Sequence, residues 1–214
     1  MQNEANKTRR ERVAIFEKTR VYPVVSSEFC SREPLATVEQ ILAAGTRLVQ
    51  LREKQMPARD FVEYALACRK IADKFGALII IDDRVDIALA ARADGVHLGQ
   101  DDLPVPAARS ITPDLLLGVS THNAEEIAAA QNVDCDYLNL GPIFATQTKA
   151  VQYPAVGLEN LERLIPQIKI PFSVMGGIKR EHVPALRALG VNHIAAVTAF
   201  TRAENIAQAI REFA

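Results

Sequence analysis

The chain has no tryptophan, only 6% aromatic residues and three cysteines among 214 residues. Cys30, Cys68 and Cys135 are odd in number, far apart and outside any C-x-x-C pair, so a disulfide framework is not expected. Free thiols in a reducing compartment are the simplest account. No apolar run approaches the ~20 residues that span a bilayer, and the first 20 residues lack the apolar stretch of a secretory leader. A dominant charge is missing too: 25 Lys and Arg stand against 26 Asp and Glu, a net charge of −1. That balance leaves no electrostatic footprint for nucleic acid, so any anionic ligand has to be held by a few local basic groups. A cytoplasmic, soluble protein with small-molecule substrates, and with neither nucleic acid nor membrane as partner, is expected. A homo-oligomer is compatible with this.

What is present is a regular alternation. At 49% hydrophobic, the chain can build one sizeable core. Short β-branched or aliphatic runs predict strands over 21–25, 48–51, 78–81, 96–98, 115–119, 137–140, 172–175 and 194–197. Between them the pattern predicts helices over 35–44, 58–75, 85–93, 105–111, 124–131, 158–168, 180–189 and 204–213, with Gly45, Gly76 and Gly190 as stops. Residues 7–20 read as a leading helix, so 1–20 is taken as a helical extension and 21–214 as one domain. Strict strand–helix alternation implies a parallel sheet covered by helices. Eight units suit a closed (β/α)8 TIM barrel; an open doubly wound sheet is the alternative. In both, ligands gather beyond the C-terminal strand ends, and that rim carries the unusual residues.

Gln50-Leu51-Arg52-Glu53-Lys54 leaves the second strand with Gln50, Arg52 and Lys54 on one face. Polar groups on an inward face are costly unless something pairs with them, and a polyanion would. The alternative is a solvated strand end with Glu53 pairing Lys54. The run Ile79-Ile80-Ile81 ends in Asp82-Asp83-Arg84, and Val96-His97-Leu98 ends in Gly99-Gln100-Asp101-Asp102. Asp83 and Asp102 are separated by one strand–helix–strand unit, so they can converge on one cation, and oxygen-only ligands favour Mg²⁺. Helix N-capping is the alternative for each. Gly118-Val119-Ser120-Thr121-His122 places a hydroxyl at the fifth strand end; His122 is either an acid/base or a capping group, and Glu125 and Glu126 fit the first turn of the helix that Asn123 would cap. Gly141-Pro142-Ile143-Phe144-Ala145-Thr146-Gln147-Thr148-Lys149 reads as a lid offering hydroxyls and a cation to phosphate oxygens. Met175-Gly176-Gly177-Ile178 and Val197-Thr198-Ala199 would make a second anion site after the last two strands. His193, at a strand start, is given no chemical role.

Taken in order, these segments resemble the thiamine-phosphate synthase family, whose pattern runs Q-L-R-x-K, N-D-R, G-V-H-L-G-Q-x-D, G-V-S-x-H, G-P-x-F-x-T-x-T-K, G-G-I and V-S. The resemblance spans Gln50 to Thr198 with two single-residue departures, Asp82 for Asn and Thr198 for Ser. It implies a TIM barrel transferase of thiamine biosynthesis. The reaction would join 4-amino-2-methyl-5-(diphosphooxymethyl)pyrimidine to 4-methyl-5-(2-phosphooxyethyl)thiazole, giving thiamine phosphate and diphosphate by a dissociative, Mg²⁺-assisted route. Carried over residue by residue, Gln50, Arg52 and Lys54 would hold the pyrimidine diphosphate, Asp83 and Asp102 would bind Mg²⁺, and Ser120 and Lys149 would also contact the pyrimidine substrate. Thr146 and Thr148 would contact the thiazole phosphate beside Gly177, Val197 and Thr198. Arg52, Lys54, Lys149 and Ser120 would carry the catalysis. Asp82, at a pyrimidine-binding position, would either add to the metal site or repel the diphosphate. Two other readings remain at this stage: a thiazole tautomerase-like paralogue using His122 as acid/base, and a regulatory barrel that binds thiamine phosphate without turnover.

Overall fold

The computed structural model describes residues 7–146 and 153–214. Eight strands run parallel and in chain order round a closed barrel. They are β1 (Val21–Val25), β2 (Leu48–Leu51), β3 (Leu78–Asp82), β4 (Gly95–Leu98), β5 (Leu116–Thr121), β6 (Tyr137–Leu140), β7 (Phe172–Val174) and β8 (His193–Ala196). Ten α-helices lie among the described residues: α1 (Arg9–Lys18), α2 (Pro34–Ala43), α3 (Ala58–Phe75), α4 (Val85–Ala90), α5 (Val105–Ile111), α6 (Ala124–Ala130), α7 (Gly157–Leu164), α8 (Val183–Ala188), α9 (Thr198–Thr201) and α10 (Ile206–Phe213). The fold is therefore the TIM barrel, and closure by the β1–β8 pair, Val21 opposite Ile194, rules out the open sheet.

Three elements depart from the sequence reading. The stretch expected as one helix over 158–168 becomes α7 followed by a 3₁₀ turn at Ile165–Gln167, and 180–189 becomes a 3₁₀ turn at Arg180–His182 followed by α8. A proline sits in each, Pro166 and Pro184; it removes a backbone donor and fixes φ, which breaks the α ladder. The short α9 was not foreseen.

Strand alternation splits the core in two. Outward-facing residues such as Val49, Ile79, Ile81, Val96 and Leu138 meet the apolar stripes of the helices in a large outer cluster. Inward-facing Tyr22, Val24, Leu48, Leu78, Ile80, Leu116 and Tyr137 fill the barrel. Toward the C-terminal strand ends the inward positions turn polar: Gln50, Asp82, His97, Asn139 and Ser173 are all buried. Buried polar side chains require partners, so this end of the barrel is built for polar recognition.

The opposite end is closed by α1. Thr8 and Glu11 form a reciprocal capping box at its start. Phe16 enters the barrel bottom, stacking on Tyr137 at 4.3 Å between ring centroids and lying 4.8 Å from the His193 ring. Arg12 is 2% exposed and donates to Asp114 O at 2.6 Å. His193 bonds Thr19 O through Nδ1 at this closed end, away from the rim.

Candidate functional site

A cavity of about 750 Å³ opens at the C-terminal strand ends, lined by residues from every strand-to-helix connection. At the end of β2, Gln50 is buried and Arg52 nearly so. Arg52 Nε lies 3.3 Å from Asp82 Oδ2, and Lys54 Nζ is 3.4 Å from the same oxygen while also pairing with Asp83. Burial presses the Lys54 ammonium toward neutrality, but the charges of Asp82 and Asp83 more than offset it, and its pKa stands above the ordinary value. Glu53 does not pair with Lys54 as the alternative had it. Its carboxylate accepts from Ser27 N at 2.8 Å and Ser27 Oγ at 2.7 Å, on the outer side of the strand end.

Asp83 and Asp102 come together across the β3 and β4 ends, near enough for each carboxyl to act on the other. Burial alone would raise both. For Asp83 the Lys54 ammonium overrides burial and holds the carboxyl below its usual range. For Asp102 burial wins over the hydrogen bond from Gly99 N, and the neighbouring Asp83 charge adds to the rise. Neither residue caps a helix: α4 is preceded by Arg84 and α5 by Pro104, with no side-chain cap at either. Asp102 Oδ2 accepts from Gly99 N at 2.7 Å and closes the turn that aims it at the rim. Asp83 adopts φ 60°, a left-handed conformation that Asp tolerates better than most residues. Two neighbouring carboxyl groups lining an open cavity fit a hard divalent cation, which takes one or two protein carboxylates and completes its shell with water and phosphate oxygens. No cluster of three or more such ligands occurs among the described residues.

Ser120 stands at the end of β5 and its Oγ is 3.0 Å from His97 Nε2. His122 is held on two sides: Nδ1 is 2.6 Å from Glu126 Oε2, and its ring stacks on Tyr153 at 3.6 Å. Asn123 caps α6 by accepting from Glu126 N at 2.8 Å. On the other wall, Thr146, Gly177, Val197 and Thr198 line the same cavity. Thr148 and Lys149 lie outside the described residues. The paired glycines have a packing reason besides any ligand. A Cβ on Gly177 would lie 2.4 Å from Ala145 O, so the β7 connection can press against the loop after β6 only as glycine. Phe144 N donates to Gly176 O at 2.9 Å across that contact.

Sequence reasoning missed part of the lining. His97 and Asn139 reach the cavity from inside the barrel, and Arg202, whose guanidinium lies 5.6 Å from the centre of the Phe29 ring, joins them from the end of α9. His97 was read only as one residue of a strand run; its inward position follows from alternation counted back from Ser120 and Asp82 on the paired strands.

Comparison with known proteins decides the family. Residues 21–200 match the family model described as thiamine monophosphate synthase. The chain belongs to the thiamine monophosphate synthase family. Relatives named thiamine-phosphate synthase include one from Pelotomaculum thermopropionicum, 39% identical over 89% of this chain and 88% of that protein. Another, from Pyrococcus horikoshii, is 38% identical over 90% and 92%. Among solved structures, the thiamine phosphate pyrophosphorylase from Pyrococcus furiosus superposes with a TM-score of 0.84 at 33% identity, covering 93% of this chain and 95% of that one. The family's span, 21–200, takes in β1 to β8 and hence the whole rim.

Proposed function

We propose that the chain joins 4-amino-2-methyl-5-(diphosphooxymethyl)pyrimidine to 4-methyl-5-(2-phosphooxyethyl)thiazole, releasing diphosphate and forming thiamine phosphate. Family membership is the observation that carries this reading, and the meeting of Arg52, Lys54, Asp83 and Asp102 at one mouth supports it. The bond between the pyrimidine methylene and the diphosphate oxygen breaks with its electron pair leaving on diphosphate, and the thiazole nitrogen then bonds the methylene carbon. Charge grows on the leaving oxygens, so catalysis needs preorganised cations there more than a nucleophile or strong base. Arg52 and Lys54 supply two, and Lys149 would supply a third. Mg²⁺ held by Asp83 and Asp102 would add Lewis-acid neutralisation of the diphosphate.

Asp82 has a defined place in this scheme. It pairs with both Arg52 and Lys54, so it would keep two cations oriented toward the diphosphate. Gln50 and Ser120 would contact the pyrimidine, while Thr146 and Thr148, with backbone at Gly177, Val197 and Thr198, would receive the thiazole phosphate. The three cysteines are free thiols, and no helix among the described residues is long and apolar enough to cross a membrane. Work on small soluble substrates in the cytoplasm is consistent with both.

Incubating the enzyme with both phosphorylated substrates and Mg²⁺ should release diphosphate and thiamine phosphate in equal amounts. Neither product above the enzyme-free rate would overturn the assignment. The tautomerase-like reading makes a different demand, because it needs His122 as acid/base. Tied to Glu126 and Tyr153, His122 is expected to be dispensable for condensation: His122→Ala should keep kcat within about threefold, under about 0.7 kcal/mol of barrier. Mg²⁺-independent isomerisation of a thiazole carboxylate, lost in that variant, would favour the paralogue instead.

A further inference from the structure

Five side chains from five strands form one unbroken hydrogen-bonded line through the barrel. Gln50 Nε2 donates to Tyr22 Oη at 2.9 Å, Tyr22 Oη lies 2.8 Å from Tyr137 Oη, Tyr137 Oη is 3.1 Å from His97 Nδ1, and His97 Nε2 is 3.0 Å from Ser120 Oγ. Tyr22 and Tyr137 are 1% and 0% exposed, so water cannot substitute for a broken link. Gly118 admits the central phenol: a Cβ there would lie 2.1 Å from Tyr137 Cζ and 2.3 Å from its hydroxyl. The line begins and ends at two residues assigned to the pyrimidine above, and the inference rests on that assignment.

We infer that Tyr22, Tyr137 and His97 are positioning residues that couple Gln50 to Ser120 and fix, as one unit, which hydrogen-bonding groups the two present to the aminopyrimidine. Each hydroxyl has a single proton to give. With the Gln50 amide donating, Tyr22 must donate onward to Tyr137, and Tyr137 to His97 Nδ1. His97 is then neutral with its proton on Nε2, and that proton goes to Ser120 Oγ. Ser120 keeps its own proton for the cavity, and Gln50 keeps its carbonyl oxygen. The site thereby offers one acceptor and one donor, the complement of an exocyclic amino group and a ring nitrogen. Reversing any one link would reverse every other, which makes the arrangement selective rather than adaptable. Burial keeps both phenols protonated far above neutral pH, so the direction of the line is not scrambled by ionisation.

Side-chain ¹⁵N–¹H correlation NMR of the whole enzyme tests this directly, with His97 assigned by the signals lost in His97→Asn. A neutral Nε2–H tautomer at pH 7.5 is expected. A neutral Nδ1–H tautomer would overturn the inference, as would an imidazolium held by the nearby Asp83 charge. Tyr137→Phe, which keeps the ring and deletes the link, should shift His97 toward a tautomer mixture. It should also raise KM for the pyrimidine diphosphate about tenfold and leave KM for the thiazole phosphate unchanged. Combined with Gln50→Ala, its effect should fall well short of the product of the two single effects, because groups in one network are not additive; a full product would overturn the coupling. If Tyr137→Phe does not fold, Tyr22→Phe breaks the adjacent link and is read the same way. The wild-type tautomer needs no turnover, so failure of the functional reading appears separately, as absent diphosphate release.

Discussion

Asp83→Asn is expected to lower kcat/KM at fixed Mg²⁺ by at least ~100-fold, about 2.7 kcal/mol of transition-state stabilisation. Asn is the informative replacement. It keeps the shape and tolerates the left-handed backbone at φ 60°, whereas a residue without a short polar side chain would add roughly 1–2 kcal/mol of strain unrelated to chemistry. What Asn removes is one negative charge from the place where Asp102 and Lys54 converge. The pH profile provides an independent reading. In the native pair the Asp102 carboxyl is raised, first by burial and then by its charged neighbour. A divalent ion needs both groups deprotonated, so its affinity is full above that raised pKa and falls about tenfold per pH unit below it. Neutralising residue 83 removes the repulsion, so the acid limb for Asp102 should move to lower pH. An unchanged rate and an unchanged acid limb together would remove Asp83 from the site.

The limits of sequence reading follow from the geometry. Strand cores such as Val21–Val25 and residues 78–81 were legible because a strand buried on both faces is a near-continuous apolar run. Rim residues were legible because the run stops where the barrel stops: the carboxylates after Ile81 and the cations after Leu51 mark the mouth without any knowledge of the neighbours. The helix breaks at Pro166 and Pro184 were visible in principle but masked by apolar residues that continue the helical period past each proline. What a one-dimensional pattern could not supply is the height of each inward residue relative to its neighbours. That depends on barrel stagger, which pairs Gln50 with Ile80 and His97 with Gly118. Hence the line from Gln50 to Ser120 was invisible, although Gln50 and Ser120 themselves were singled out. The pairing of Asp82 with Arg52 and Lys54 was hidden for a related reason: sequence placed all three at one rim but could not say that the carboxylate would face the cations.

Asp94→Ala should be the most damaging change far from the mouth, costing about 3 kcal/mol and lowering Tm by roughly 6–12 °C. Asp94 lies at the closed end of the barrel just before β4, and it holds three donors together: the Arg12 guanidinium at 3.4 Å, the Arg69 guanidinium, and the Ile79 N–H at 2.9 Å. Its side chain is 7% exposed, and those of Arg12 and Arg69 are 2% and 12% exposed. Truncation would take this carboxylate from two buried cations, leaving Arg69 with Asp73 at 2.6 Å and Arg12 with Asp114 O at 2.6 Å, and stripping one partner from a buried charge cluster is costly in a region of low dielectric. An exposed pair gives the contrast. Arg59 and Glu63 on α3 are 88% and 68% exposed, so Glu63→Ala should change stability by a few tenths of a kcal/mol. Because α1 is pinned through Arg12, the Asp94 variant should also free the helix, seen as faster hydrogen exchange across 9–18. Its kcat at 25 °C should stay near that of the parent, since the bottom of the barrel touches no reacting atom. Chemical denaturation and steady-state kinetics on both variants separate the two effects. Equal stability losses for Asp94→Ala and Glu63→Ala would show that the closed end does not depend on its buried charges.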